Sequence, residues 1–194
     1  VYDYGTATAQ LGLARPNHPN SSIQSSMLNQ ENRNGNTFNG NAFVDITFLK
    51  DFKFTFNVGT TVNEIRYYTT TNPYYGFGAE QNGTVTMYHY RTTTLNLQQI
   101  LNYSHNFGKH NISVMLGHES YKYNYAELSA SKKNMFSYWG NHELNGAVID
   151  GSSAASYSND YNTEGYFFRA LYDYDAKYYF SASYRRDASS RFHP

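Results

Sequence analysis

Between residues 42 and 63 the chain alternates with a period of two. Ala42, Val44, Ile46 and Phe48 share one parity against Phe43, Asp45 and Thr47. After the short turn Leu49-Lys50-Asp51, Phe52, Phe54, Phe56, Val58 and Val62 oppose Lys53, Thr55, Asn57, Gly59, Thr61 and Asn63. Successive side chains of a strand point to opposite faces, so the pattern predicts two strands with one apolar and one polar face each. It recurs in a strand from about Met87 to Phe107, where Leu95, Leu97, Leu101 and Tyr103 oppose Asn96, Gln98, Asn102 and Ser104. The turn Gly108-Lys109-His110 leads into a return strand with Ile112, Val114 and Leu116 on the apolar side. Tyr121, Tyr123 and Tyr125 then carry the opposite parity, which predicts either a bulge near Gly117 to Ser120 or a strand that has left the apolar layer. A third hairpin occupies Thr163 to Pro194. Tyr166, Phe168, Ala170, Tyr172 and Tyr174, then Tyr178, Phe180, Ala182 and Tyr184, form its aromatic face; Phe167, Arg169, Leu171, Asp173, Tyr179, Ser181, Ser183, Arg185 and Asp187 form the other.

The connections alternate too. Short turns near 49–51, 108–110 and 173–177 are separated by segments without alternation at 1–41, 67–84 and 129–162, rich in Asn, Ser, Thr and Gly, the first with a turn of helix expected near 21–28. A meander with short turns at one end, long loops at the other and apolar runs of about ten residues matches an outer-membrane barrel. Phe48, Phe52, Phe107, Tyr174 and Tyr178, all beside short turns, would form an interfacial girdle. A soluble β-sandwich gives no reason for the asymmetry of loop length. The expected fold is all-β, an antiparallel up-and-down transmembrane β-barrel, with residues 1–41 a long extracellular loop and 42–194 a barrel segment of about six strands. Six strands are fewer than the about eight that close a membrane barrel, so the segment is expected to belong to a larger one.

Composition agrees. Charged residues make up 15%, against about 25% in soluble domains, while 21 Tyr and 13 Phe supply rings suited to strands and membrane interfaces. The formal net charge of zero and the lack of a basic run argue against nucleic acid. The absence of cysteine argues against disulfides and thiolate metal sites. No apolar run approaches the roughly 20 residues of a membrane helix. The opening Val1-Tyr2-Asp3-Tyr4 has neither the charged start nor the apolar core of a signal peptide, and the ending Arg191-Phe192-His193-Pro194 is abrupt, so the chain reads as an internal fragment. His118-Glu119 and His142-Glu143 are adjacent pairs without the spacing of a helical zinc motif, and no nucleophile elbow or phosphate loop is present. No metal, cofactor or enzymatic activity is expected.

Phe48-Leu49-Lys50-Asp51-Phe52-Lys53-Phe54, Phe107-Gly108-Lys109-His110-Asn111-Ile112, Tyr172 to Tyr178 and, above all, Arg185-Arg186-Asp187-Ala188-Ser189-Ser190-Arg191-Phe192 resemble the barrel of SusC/RagA-type TonB-dependent transporters. The last stretch departs from the family pattern by placing Ala188 where glycine is usual. The resemblance covers most of residues 42–194. It implies a 22-stranded barrel in the outer membrane, a plug and a TonB-interacting region outside this chain, a SusD-like surface lipoprotein as lid, and import of oligosaccharides or peptides. A siderophore or cobalamin receptor would share the barrel; a soluble β-sandwich adhesin or carbohydrate-binding module is the alternative from another class.

Arg169, Asp173, Arg185 and Asp187 fall opposite the aromatic face, where they are candidate lumen or substrate residues. Their simpler role is in structural ion pairs with the plug or neighbouring strands, since wide barrels hold many inward polar groups. Tyr67, Tyr68, Tyr74, Tyr75, Tyr138 and Trp139 fall in the expected long loops. Their flat rings suit stacking on sugars or packing against a lid, with loop-on-loop packing as the plainer role.

Overall fold

A computed structural model describes residues 28–74, 77–150 and 153–192. Seven strands form one sheet: β1 (Gln30–Phe48), β2 (Phe52–Thr71), β3 (Thr84–Phe107), β4 (His110–Met135), β5 (Ala147–Asp150), β6 (Ala155–Tyr174) and β7 (Tyr178–Ser189). The sheet order is β1-β2-β3-β4-β6-β7, with the four-residue β5 pairing beside it on β4. Neighbours in sequence are neighbours in the sheet, as a meander requires. No pairing joins β7 to β1, so the described strands do not close a barrel, and no second sheet is present among them to make a sandwich.

The strands are longer than the alternation predicts. Residues 30–41 belong to β1, not to a loop, and the supposed loops also surrender 67–71 to β2, 129–135 to β4 and 155–162 to β6. The reason is chemical. Alternation reveals a strand only where one face is apolar, whereas these extensions pair their backbones while carrying polar side chains on both faces. Thr37 Oγ1 donates to Asn63 Oδ1 at 3.0 Å and Thr61 Oγ1 to Asn39 Oδ1 at 2.8 Å, cross-strand bonds invisible to a hydrophobic count. The helical turn expected near 21–28 lies outside the described residues except for Leu28.

The chain divides into two compact units. The hairpin unit comprises Thr37–Asn63, Thr92–Tyr125 and Asn159–Pro194; the loop unit comprises Val1–Asn36, Glu64–Arg91 and Ala126–Ser158.

In the hairpin unit, left-handed backbone turns the chain at the short connections: Leu49 and Lys50 at φ 50° and 63°, Gly108 at 68°, Asp175 and Ala176 both at 53°. Phe168 pairs with Tyr184, Ala170 with Ala182, Tyr172 with Phe180 and Tyr174 with Tyr178, so the aromatic parity of β6 meets that of β7. Phe168 and Tyr172 are half-buried, while the large side chains of β7 on this face stay exposed, Phe180 and Tyr184 both at 65%. Beside the short turns Phe48 stacks on Phe52 at 5.4 Å, Phe52 meets Tyr103 at 4.8 Å, and Tyr174 meets His110 at 4.9 Å.

The loop unit has a conventional core. Val85, Met135, Tyr138 and Ala147 are buried together, with Tyr74, Met87 and Leu144 packed against them. The backbone of β4 pairs with β5 through Met135 and Ala147, and Phe136 N donates to Gly146 O at 2.9 Å. Gly83 at φ 80° turns the chain beneath Met135, whose Sδ would lie 3.2 Å from a Cβ placed there.

Candidate functional site

The polar face of the hairpin unit brings two of the four charged candidates together. Arg185 Nε donates to Asp187 Oδ1 and Oδ2 at 2.9 and 3.0 Å, and Arg185 Nη2 reaches Glu119 Oε2 of β4 at 3.4 Å. Two glycines make room for this arrangement. A Cβ at Gly165, which opposes Asp187 in the register, would stand 2.6 Å from Asp187 Oδ1. A Cβ at Gly117 would stand 2.0 Å from the Phe167 ring, which therefore lies flat against the β4 backbone. Arg185 sits over that ring, 5.6 Å from its centroid. Arg185 and Asp187 are more than half exposed and Glu119 about a quarter, so each pair contributes little to stability and the array presents a hydrated, polar surface.

Asp173 lies nearer the short turns. It accepts a hydrogen bond from Asn111 Nδ2 at 2.9 Å and lines a recess of about 570 Å³ with Ser104, Ser113, Leu171 and Tyr179. Arg169 is exposed on the same parity and pairs in the register with Ser183, away from the Arg185 cluster.

The structure also decides between a bulge and a departing strand in β4. Asn111 meets Asp173, His118 meets Tyr166 and Tyr123 meets Tyr161, so seven steps and then five along β4 match seven and then five along β6. The register is unbroken. Tyr121 and Tyr123 thus lie on the polar parity of a strand that has left the apolar layer.

The aromatic candidates separate by role. Tyr67 is in β2, not a loop, and its ring meets Tyr88 at 5.5 Å. Tyr68 stacks on His142 at 4.5 Å. Tyr74 packs edge-on against Tyr138 at 6.2 Å. Tyr138 is 2% exposed, and its hydroxyl donates to the Leu28 carbonyl. Burial pushes the Tyr138 phenol above its ordinary value. Trp139, next to Tyr138 in the chain, remains half exposed beside Gly140. A salt bridge from Arg66 Nη2 to Glu143 Oε1 at 2.9 Å ties this loop to β2. Tyr75 lies outside the described residues. Glu119, Phe167 and Tyr161 were not among the sequence-predicted site residues; the reversed parity after Gly117 was the signal that pointed to the polar face there.

No protein-family model matches the chain. It is 29% identical over 169 residues to the TonB-dependent receptor P3 of Formosa agariphila, covering 84% of this chain and 16% of that protein. The structure of the RagAB peptide transporter matches with a TM-score of 0.78 at 22% identity over 88% of this chain and 19% of that one. The RagAB peptide importer in its closed-closed state matches with a TM-score of 0.77 at 23% identity, covering 87% and 19%. The chain therefore spans less than a fifth of the proteins it matches. With the meander, the exposed aromatic face and the polar face in place, the chain is an antiparallel up-and-down segment of a transmembrane β-barrel that shares its fold with part of the RagAB transporter and resembles a TonB-dependent receptor in sequence.

Proposed function

We propose that the barrel containing this segment actively imports oligosaccharides or peptides, driven through TonB and capped by a SusD-like surface lipoprotein. The observation that carries this reading is the contrast between the two faces of the hairpin unit. One side presents exposed aromatic and aliphatic residues suited to lipid, and the other carries Asn57, Gln98, Glu119, Arg185 and Asp187 in mutual hydrogen bonds and ion pairs suited to a hydrated lumen. The TonB-dependent receptor P3 and the RagAB peptide transporter lend it support as relatives in sequence and in fold. In this reading the short turns are periplasmic, and the exposed Trp139 and Phe136 offer apolar surface for the lipoprotein.

The test is made in cells producing the full-length protein. Removing TonB is expected to abolish uptake of a labelled oligosaccharide or peptide, and affinity purification is expected to recover a surface lipoprotein. Uptake that persists undiminished without TonB would overturn the reading. TonB-dependent uptake that needs no lipoprotein would move it to the siderophore or cobalamin class.

A further inference from the structure

The polar face of the hairpin unit carries a second cluster that wall building does not require. Tyr161 of β6 lies between Tyr121 and Tyr123 of β4, with ring centroids 6.0 Å from the first and 5.0 Å from the second, the closer pair stacked within 27°. The guanidinium carbon of Arg191 stands 4.1 Å from the centroid of the Tyr161 ring. Arg191 is held there by its neighbours. Ser190 N donates to Asn162 O at 3.0 Å, Asn162 N donates to Ser190 Oγ at 3.0 Å, and Arg191 N donates to Ser189 Oγ at 3.3 Å.

Two arginines of this unit rest on aromatic rings, and they differ in what their donors meet. Arg185 is committed to Asp187 and Glu119. Among the described residues Arg191 forms no ion pair with a carboxylate, although it is exposed. A guanidinium laid on a ring has its flat face occupied while its N–H edge stays free, and that edge matches the two oxygens of a carboxylate or sulfate. The adjoining tyrosines supply flat apolar surface beside the charge, with hydroxyl tips able to donate.

We propose that Tyr121, Tyr123, Tyr161 and Arg191 form a lumenal subsite for an anionic group, a carboxylate or sulfate, carried on an imported cargo. The inference rests on the import reading and narrows its substrate class. Such an anion arises on an acidic oligosaccharide or at the free carboxyl end of a peptide.

Calorimetry on the full-length transporter in detergent distinguishes these sources. The probes are tetragalacturonate against neutral maltotetraose, and tetra-alanine against its C-terminal amide. The acidic member of one pair is expected to bind at least tenfold more tightly than its neutral counterpart. Arg191→Gln is expected to erase that preference, Arg191→Lys to keep part of it, and Tyr161→Leu to weaken both members. Arg186→Gln, on the opposite parity of β7, serves as the control and is expected to leave the preference intact. Equal binding of acidic and neutral probes, no binding by either acidic probe, or an undiminished preference in Arg191→Gln overturns the subsite. TonB-dependent uptake indifferent to Arg191 sinks the subsite alone, whereas uptake that ignores TonB sinks the import reading.

Discussion

The hairpin unit and the loop unit share strands β1, β2, β3, β4 and β6, yet they treat their apolar side chains in opposite ways. The buried hydrophobic residues among those described, Leu28, Val85, Met135, Tyr138 and Ala147, all belong to the loop unit. In the hairpin unit Val44, Leu116, Phe180 and Tyr184 stand at least half exposed. One unit hides its apolar groups from water behind a small private core. The other displays them in a continuous alternating face, which is stable only if lipid replaces water as the solvent on that side. The difference shows that burial measured on the chain alone has two meanings here. An exposed valine is a surface residue in the loop unit and an anchored one in the hairpin unit.

Val44 and Val148 sharpen that comparison, because they are matched at 53% and 52% exposure. Val44 lies four residues from Phe48. At about 3.3 Å per residue along a tilted strand it sits about 10 Å from the girdle, close to the middle of an apolar band about 25 Å tall. Val44→Arg is expected to cost about 2 to 4 kcal/mol, whereas Val148→Arg, exposed to water, is expected to cost under about 0.5 kcal/mol. Equilibrium urea unfolding of the full-length barrel from lipid vesicles measures both. Equal costs would remove the distinction between the two units and with it the lipid assignment.

A substitution in the private core should have the converse pattern. Met135 is 5% exposed and packs with Val85, Tyr138 and Ala147. Met135→Ala is expected to destabilise the loop unit by about 2 kcal/mol through lost burial and an unfilled cavity. Hydrogen exchange is expected to accelerate at 77–83 and 136–147 while amides of the β6–β7 hairpin keep their protection. Acceleration that spreads equally into the hairpin would mean that the two units open together.

The legibility of the fold in the sequence follows the same division. Where lipid demands an apolar parity, as in Phe52, Phe54, Phe56 and Val58, strands and turns were readable and the short connections fell where expected. Where strands stand in water on both sides, as in residues 30–41, Asn, Gly and Thr gave no periodic signal and the strand read as loop. The pairing of Arg185 with Asp187, two residues apart on one face, was open to sequence reasoning. Glu119 was not, because its approach depends on the register of β4 against β6 and on the space left by Gly117 and Gly165. Of the loop aromatics, Tyr74 and Tyr138 turned inward for a reason that no local pattern encodes: they complete a core whose other members come from β3, β4 and β5.

The smallest expected effect tests that core by the buried hydroxyl of Tyr138. Tyr138 donates to the carbonyl of Leu28, which is itself buried, so Tyr138→Phe leaves that oxygen without its donor and is expected to cost about 1 kcal/mol. Burial raises the phenol's pKa in the folded state, so the folded chain holds its proton at pH values where the unfolded chain has begun to lose it. The stabilising contribution is therefore complete below about pH 10, the ordinary tyrosine value, and is lost as pH rises through the higher folded value. Many other tyrosines titrate in that range, which makes the difference between wild type and Tyr138→Phe the informative quantity. Amide protection of the loop unit is expected to fall more steeply with alkaline pH in the wild type, so that the two proteins converge. Parallel profiles would show that the Tyr138 hydroxyl meets water freely, and the loop unit would then lose its standing as a core distinct from the lipid-facing wall.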